Sequence, residues 1–169
     1  MMENWTPHLC MKSIYELPFS EFWEKGFRIL FCDLDNTVSA FDKPLPVDDF
    51  LDWVENRKKE GWKIYILSNN GKERVEKFCT EAKLTGFSKL YKPLPFRTGH
   101  IVQKLGVSPS QIVFIGDQVF TDVWLANQLG FLSVLVDPVA KGDLLKTKIN
   151  RKLEGFLRKD FLYGKNKSW

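Results

Sequence analysis

The sequence predicts an α/β fold: an open, doubly wound and mainly parallel sheet with helices on both faces. Short apolar runs alternate with amphipathic stretches along most of the chain, which is the pattern of repeated strand-helix units. Several of the apolar runs break off abruptly into acidic or small polar residues, as buried parallel strands do when they deliver functional groups at their carboxyl ends. The 169 residues are 44% apolar and include 14 Phe, 6 Trp and 4 Tyr, enough for one well-filled core and too apolar for a disordered chain.

Taken in order, residues 1–27 carry Trp5, Leu9, Ile14, Phe19, Phe22 and Phe27 at irregular spacing, which predicts a segment packed on the body, with a short helix at Ser20–Gly26. Arg28–Asp35 holds the first strand. A hairpin-like stretch around Phe41 and Pro44 leads into a helix over Val47–Glu60, with Phe50, Leu51, Trp53 and Val54 on one side. Trp62–Leu67 is a second strand, Lys72–Ala82 a helix, Leu90–Tyr91 a stub of strand and Phe96–Leu105 a third helix. Ile112–Asp117 is again a strand ending in acid, followed by a helix at Asp122–Leu129 and a strand at Phe131–Val136. A basic helix is expected at Leu144–Arg158. The whole reads as one domain over 1–169, with a packing segment at 1–27, a catalytic core at 28–140 and a basic helix and tail at 141–169.

Composition narrows the class of function. Cys10, Cys32 and Cys79 are odd in number and widely spaced, which fits neither a disulfide framework nor a zinc site and suggests a reducing compartment. No stretch reads as a signal peptide or membrane span, so a cytoplasmic protein is expected. The net charge is +4, but residues 141–169 alone carry +6 and the remainder −2. Leu145, Ile149, Leu153, Phe156 and Leu157 lie among those basic residues. That pattern suits peripheral contact with an anionic membrane at its inner face, or a helix covering the core with its charges in water. Aromatic platforms interleaved with the basic residues are missing, which disfavours nucleic acid.

The polar clusters all fall at strand carboxyl ends, where open parallel sheets bind their ligands. Asp33 and Asp35 end the first strand, Ser68 and Asn69 the second; Lys92 follows the third, and Asp117 and Asp122 the fourth. Any one of these is also a common cap or turn residue. As a set they place four carboxylates in one cleft with one lysine, and such a nest lacks positive charge. A hard dication with oxygen ligands supplies it, and Mg²⁺ suits few carboxylates with water or phosphate completing the shell. His8 and His100 sit elsewhere, which argues against zinc. With a metal, a lysine and a hydroxyl aimed at one spot, the natural guest is a phosphoryl group. One Asp of the pair could attack phosphorus while the other, two residues on, handles protons.

Asp33-Leu34-Asp35-Asn36-Thr37, Ser68-Asn69-Asn70, Lys92-Pro93 and Gly116-Asp117-Gln118-Val119-Phe120-Thr121-Asp122 resemble the four ordered motifs of haloacid dehalogenase-like phosphatases, a Rossmann-like family. The resemblance implies Asp33 as nucleophile, Asp35 as general acid/base and Thr37 as support for their loop. It implies phosphate binding by Thr37, Ser68, Asn69 and Lys92, and Mg²⁺ held by Asp33, Asp117, Asp122 and the Asp35 carbonyl. No motif position departs from the family pattern. The wording of the motifs, with the basic end after Asp137-Pro138, further resembles the capless YqeG-like subgroup of subfamily IIIA, which is similar to the mitochondrial phosphatidylglycerophosphate phosphatases.

Spacing bears on the substrate. Only 32 residues separate Asp35 from Ser68, and 23 separate Ser68 from Lys92, so neither interval has room for a cap domain. An uncapped site favours a phosphate presented on something large, or a lid borrowed from another subunit. The expected activity is a phosphomonoester hydrolase, with phosphatidylglycerophosphate favoured by the resemblance. Phosphoproteins, nucleic-acid ends and soluble sugar or nucleotide phosphates remain open as alternatives, as does a phospho-acceptor signalling or phosphate-binding module without turnover.

Overall fold

In the computed structural model, which describes residues 3–140, the elements follow in the order β1 (Leu9–Met11), α1 (Phe19–Glu24), β2 (Ile29–Cys32), α2 (Asp48–Lys59), β3 (Lys63–Leu67), α3 (Lys72–Ala82), β4 (Thr85–Phe87), α4 (Pro95–Leu105), β5 (Ile112–Gly116), α5 (Trp124–Gln128) and β6 (Leu132–Val136). The strands make one sheet in the order β1-β6-β5-β2-β3-β4, and every pairing is parallel. From β2 the chain moves outward to β3 and β4, then returns to β5 on the other side of β2. Strand order therefore reverses between β2 and β5, where such sheets open a crevice for ligand.

Period-two alternation sorts the strand residues between two layers. In β2, Leu30 and Cys32 join a core cluster with Phe50, Trp53 and Val54 of α2, Val75, Phe78 and Cys79 of α3, and Phe22 of α1. Ile29 and Phe31 face the opposite cluster, with Ile101 and Val102 of α4 and Leu125 and Ala126 of α5. The sheet is thus covered on both sides, which is why its strands read as continuous apolar runs. At the β4 edge, a Cβ on Gly86 would run into the Cys79 and Val75 side chains; the missing side chain lets α3 close onto the strand.

Three expectations need correction or extension. Residues Leu90–Tyr91 are not a strand: the third crossover delivers Thr85–Phe87 to the sheet instead. Lys89 and Tyr91 have left-handed backbones, with φ of 52° and 58°, which no strand tolerates, and Leu90 is buried as a single side chain in the core cluster of Phe31. The N-terminal segment places Leu9, Ile14, Phe19 and Phe22 in the core and contributes β1, paired along the outer edge of β6. The helix expected from Asp122 begins earlier, as a π-helical turn over Val119–Val123 that runs into α5. The helix expected at 144–158 lies outside the described residues. Among those described, the segments from β2 to α2 and from β3 to α4 carry no additional domain, and no helix is long and apolar enough to cross a membrane.

Candidate active site

Strand pairing sets the first functional group. Cys32 lies opposite Ile115, and one residue further on the Asp33 N–H donates to the Ile115 carbonyl at 2.9 Å. Asp33 thereby leaves the sheet directly beside Asp117, which follows β5. The loop then turns back on itself: Val38 and Ser39 N–H groups donate to the Leu34 carbonyl, and Asn36 N–H to Ser39 O at 2.7 Å. The left-handed Asn36 (φ 64°) is a residue type that accepts that conformation. The turn brings Thr37 back under the strand end, where its hydroxyl lies 3.3 Å from both Asp33 Oδ2 and Asp117 Oδ1; its single proton serves one at a time.

Asp122 completes the nest from the π-helical turn. Its carboxylate rests against the end of β5, where a Cβ on Gly116 would overlap it, and its Oδ2 accepts the Gln118 N–H at 3.1 Å. Carboxylate oxygens of Asp33, Asp117 and Asp122 all lie within 4.8 Å of one another, and all three residues are buried. Lys92 enters from the opposite side: its ammonium donates to Asp33 Oδ1 at 2.5 Å, to Asp122 Oδ1 at 2.7 Å and to the Leu67 carbonyl at 3.2 Å. Asn69 fixes the backbone behind it, accepting from Lys92 N–H at 2.6 Å and donating to Lys92 O at 3.1 Å. Ser68 is buried, and its hydroxyl accepts the Asn70 N–H at 3.0 Å.

Three carboxylates against one ammonium leave the nest short of positive charge. Burial pushes the Asp33 carboxyl up to about 7, with Asp122 and Asp35 adding to the rise and Lys92 opposing it. Burial alone would favour a neutral amine at Lys92, but Asp122 and Asp33 outweigh it and hold the ammonium above the usual lysine range. A buried, oxygen-only donor set with this deficit can hold a hard dication.

Asp35 behaves differently. Its side chain stands apart from the Asp33–Asp117–Asp122 cluster: Oδ1 accepts from Arg74 Nη2 and Oδ2 from Asn70 Nδ2, each at 3.2 Å. Arg74 also donates to the Pro44 carbonyl at 3.0 Å, tying the loop after β2 to the first turn of α3. A cleft of about 370 Å³ opens over the nest, lined by Asp33, Asp35, Ser68, Asn69 and Lys92 with Phe41, Gln118 and Thr121 at its sides. Thr37 lies behind the carboxylates rather than in the wall of this cleft. Sequence reasoning missed Arg74, which no motif spacing marks. It also left Asn70 without a role, although Asn70 stands in the Ser68-Asn69-Asn70 run.

Residues 11–130 match the family model of haloacid dehalogenase-like hydrolases. A Bacillus subtilis (strain 168) protein, "Probable phosphatase YqeG", is 32% identical over 88% of this chain and 86% of its own length. The chain belongs to the haloacid dehalogenase-like hydrolases. Within that family it is an enzyme of the phosphoric monoester hydrolase kind. A second relative, phosphatidylglycerophosphate phosphatase 1 (chloroplastic/mitochondrial) of Arabidopsis thaliana, is 27% identical over 81% of this chain and 42% of its own length, so the chain spans less than half of that protein. The structure of a haloacid dehalogenase-superfamily (subfamily III A) hydrolase from Legionella pneumophila superposes with a TM-score of 0.54 at 18% identity, covering 73% of each chain. That likeness speaks for the shared Rossmann-like fold.

Proposed function

We propose that this hydrolase removes phosphate from a membrane-borne phosphomonoester, with phosphatidylglycerophosphate as the favoured substrate, through an aspartyl-phosphate at Asp33 and with Mg²⁺ as cofactor. The observation that carries the reading is the buried nest of Asp33, Asp117 and Asp122, in which Asp33 and Asp122 share one ammonium, beneath a cleft that Asp35 also lines. The Arabidopsis relative's name supports the lipid substrate, and the uncapped cleft supports a phosphate carried on something large.

In this reading Asp33, Asp117 and Asp122 would hold Mg²⁺, with the Asp35 carbonyl as a further ligand. The ion would supply charge neutralisation for the phosphoryl oxygens. A carboxylate oxygen of Asp33 forms the new bond to phosphorus as the ester P–O bond breaks, and the Asp35 carboxyl gives its proton to the departing alcohol oxygen. Asp35, now a carboxylate, takes a proton from water, whose oxygen attacks phosphorus; inorganic phosphate leaves and Asp33 is restored. Lys92 and Ser68 hold the phosphoryl oxygens, Asn69 keeps Lys92 in place, and Thr37 steadies the Asp33 carboxylate from behind.

The test is phosphate release from a chromogenic ester and from phosphatidylglycerophosphate in mixed micelles, with and without Mg²⁺. Continuous Mg²⁺-dependent release, abolished in Asp33→Asn, is expected. A stable, one-time phosphorylation without turnover would overturn the enzymatic reading, and turnover of soluble esters alone would remove the lipid.

A further inference from the structure

Resting on the lipid reading above, we propose that the segment Lys89–Arg97, with the apolar cleft beside it, is a docking surface for an anionic phospholipid bilayer. Its place in the fold suggests this first. Among the described residues, the large apolar side chains left in solvent are Tyr15 and seven others: Phe41, Leu45, Val47, Tyr91, Leu94, Phe96 and Val139. All seven follow the carboxyl ends of β2, β4 or β6, on the same rim as the nest. The densest group flanks Lys92 itself: Tyr91 is 54% exposed, Leu94 55% and Phe96 80%. Lys92 points inward to Asp33 while its neighbours on both sides point out, so a surface seated on them lies at the mouth of the cleft.

Charge selects the occupant. From residue 82 to residue 116 the sequence contains no Asp or Glu, yet it contains Lys83, Lys89, Lys92, Arg97 and Lys104. Arg97 and Lys89 are exposed. The Arg97 guanidinium donates to the Lys89 carbonyl at 2.9 Å and lies 4.7 Å from the Tyr91 ring centroid, which holds the segment in one shape. Between α3 and α4 a second cleft of about 600 Å³ has apolar walls that include Val75, Phe87, Phe96 and Ile101; Lys72 and Glu76, paired at 3.3 Å, offset each other at one side of it, and Arg97 supplies its unopposed charge. Along Lys89–Arg97 the exposed aromatic and aliphatic tips stand beside Lys89 and Arg97 with no acid in the segment, which matches the boundary between anionic headgroups and acyl chains. The loop after β2 differs: Asp42, Asp48 and Asp49 offset its Lys43, so it offers apolar contact without attraction to anionic lipid.

The experiment is flotation of the full chain with vesicles of phosphatidylcholine alone and of phosphatidylcholine with 30 mol% phosphatidylglycerol (roughly the anionic content that gives a strong surface potential). Leu94→Ser/Phe96→Ser and Lys89→Glu are measured beside the unaltered chain. Binding to the anionic vesicles is expected, with weak binding to the neutral ones. The double variant should bind at least about fivefold less and Lys89→Glu by a similar factor, while both hydrolyse a soluble chromogenic ester as before. Binding unchanged in both variants, or equal binding to both vesicle types, would overturn the docking surface. So would a concentration-dependent dimer in sedimentation that Leu94→Ser/Phe96→Ser abolishes, since a second copy would then be the occupant. Vesicle binding without hydrolysis of any ester would leave this surface standing and remove the proposed function; hydrolysis without vesicle binding would do the reverse.

Discussion

Asp33 and Asp35 are separated by one residue, yet they sit in opposite environments. Asp33 is held by the sheet itself: its N–H pairs with Ile115 O, and its carboxylate meets Thr37 and Lys92 in a buried nest. Asp35 is partly exposed and is held by side chains lent from another element, Arg74 of α3 and the preceding Asn70. The difference shows how two chemically identical groups, one residue apart, are held in different ways, as the separate tasks proposed for them require. One takes its position from strand pairing and inherits the precision of the core, while the other takes it from an adjustable ion pair at the mouth of the cleft.

That contrast can be broken most completely at Asp33. Asp33→Asn keeps the shape of the side chain and removes the proposed nucleophile, so turnover of a chromogenic ester should fall by more than about 10⁴-fold. Next in size is Lys92→Met, which leaves three buried carboxylates without their ammonium. A loss of about 3–5 kcal/mol is expected for breaking such a buried arrangement, read by urea unfolding without metal and partly regained when Mg²⁺ is added. Gly116→Ala tests the nest by geometry alone. The new methyl meets Asp122, so about 1–3 kcal/mol of stability should go, together with a drop in turnover and in the Tm rise that Mg²⁺ gives. Arg74→Ala is the smallest. Stability should change by less than about 1 kcal/mol, as for most partly exposed pairs, but kcat should fall about tenfold as Asp35 loses its anchor, with KM little altered. If Arg74→Ala cost as much stability as Lys92→Met, the two aspartates would not be held in different ways.

Much of this was legible because the physics was local. Buried parallel strands write themselves as Val, Ile, Leu and Phe runs, and β2, β3, β5 and β6 follow that rule. Because those strands are parallel, every run ends at the same rim, and the sequence alone gathers Asp33, Ser68, Asp117 and Asp122 there. What stayed hidden depends on tertiary pairing. β4 has Gly86 at its centre, a poor strand former chosen because α3 packs onto it. Leu90 and Tyr91 have strand-like identities, but Tyr91 and the preceding Lys89 are left-handed, which residue type alone does not report. Arg74 is one of several cations on α3, and only the turn of the loop after β2 selects it for Asp35. Sequence could place the acids at one rim; it could not say that Asp35 would stand outside the close cluster of the other three, paired with Arg74.

The N-terminal strand has a practical consequence. Leu9–Met11 is the outermost ribbon of the sheet, hydrogen-bonded along β6, and His8 extends the contact by donating its N–H to the Ser133 carbonyl at 3.0 Å while its ring nitrogen Nδ1 meets the Ser133 hydroxyl at 2.8 Å. Shortened versions that begin beyond Met11 would strip this cover and present a bare, apolar border of unpaired amides. Such a border is a template for self-association, and any expression design for this enzyme needs to keep those first residues.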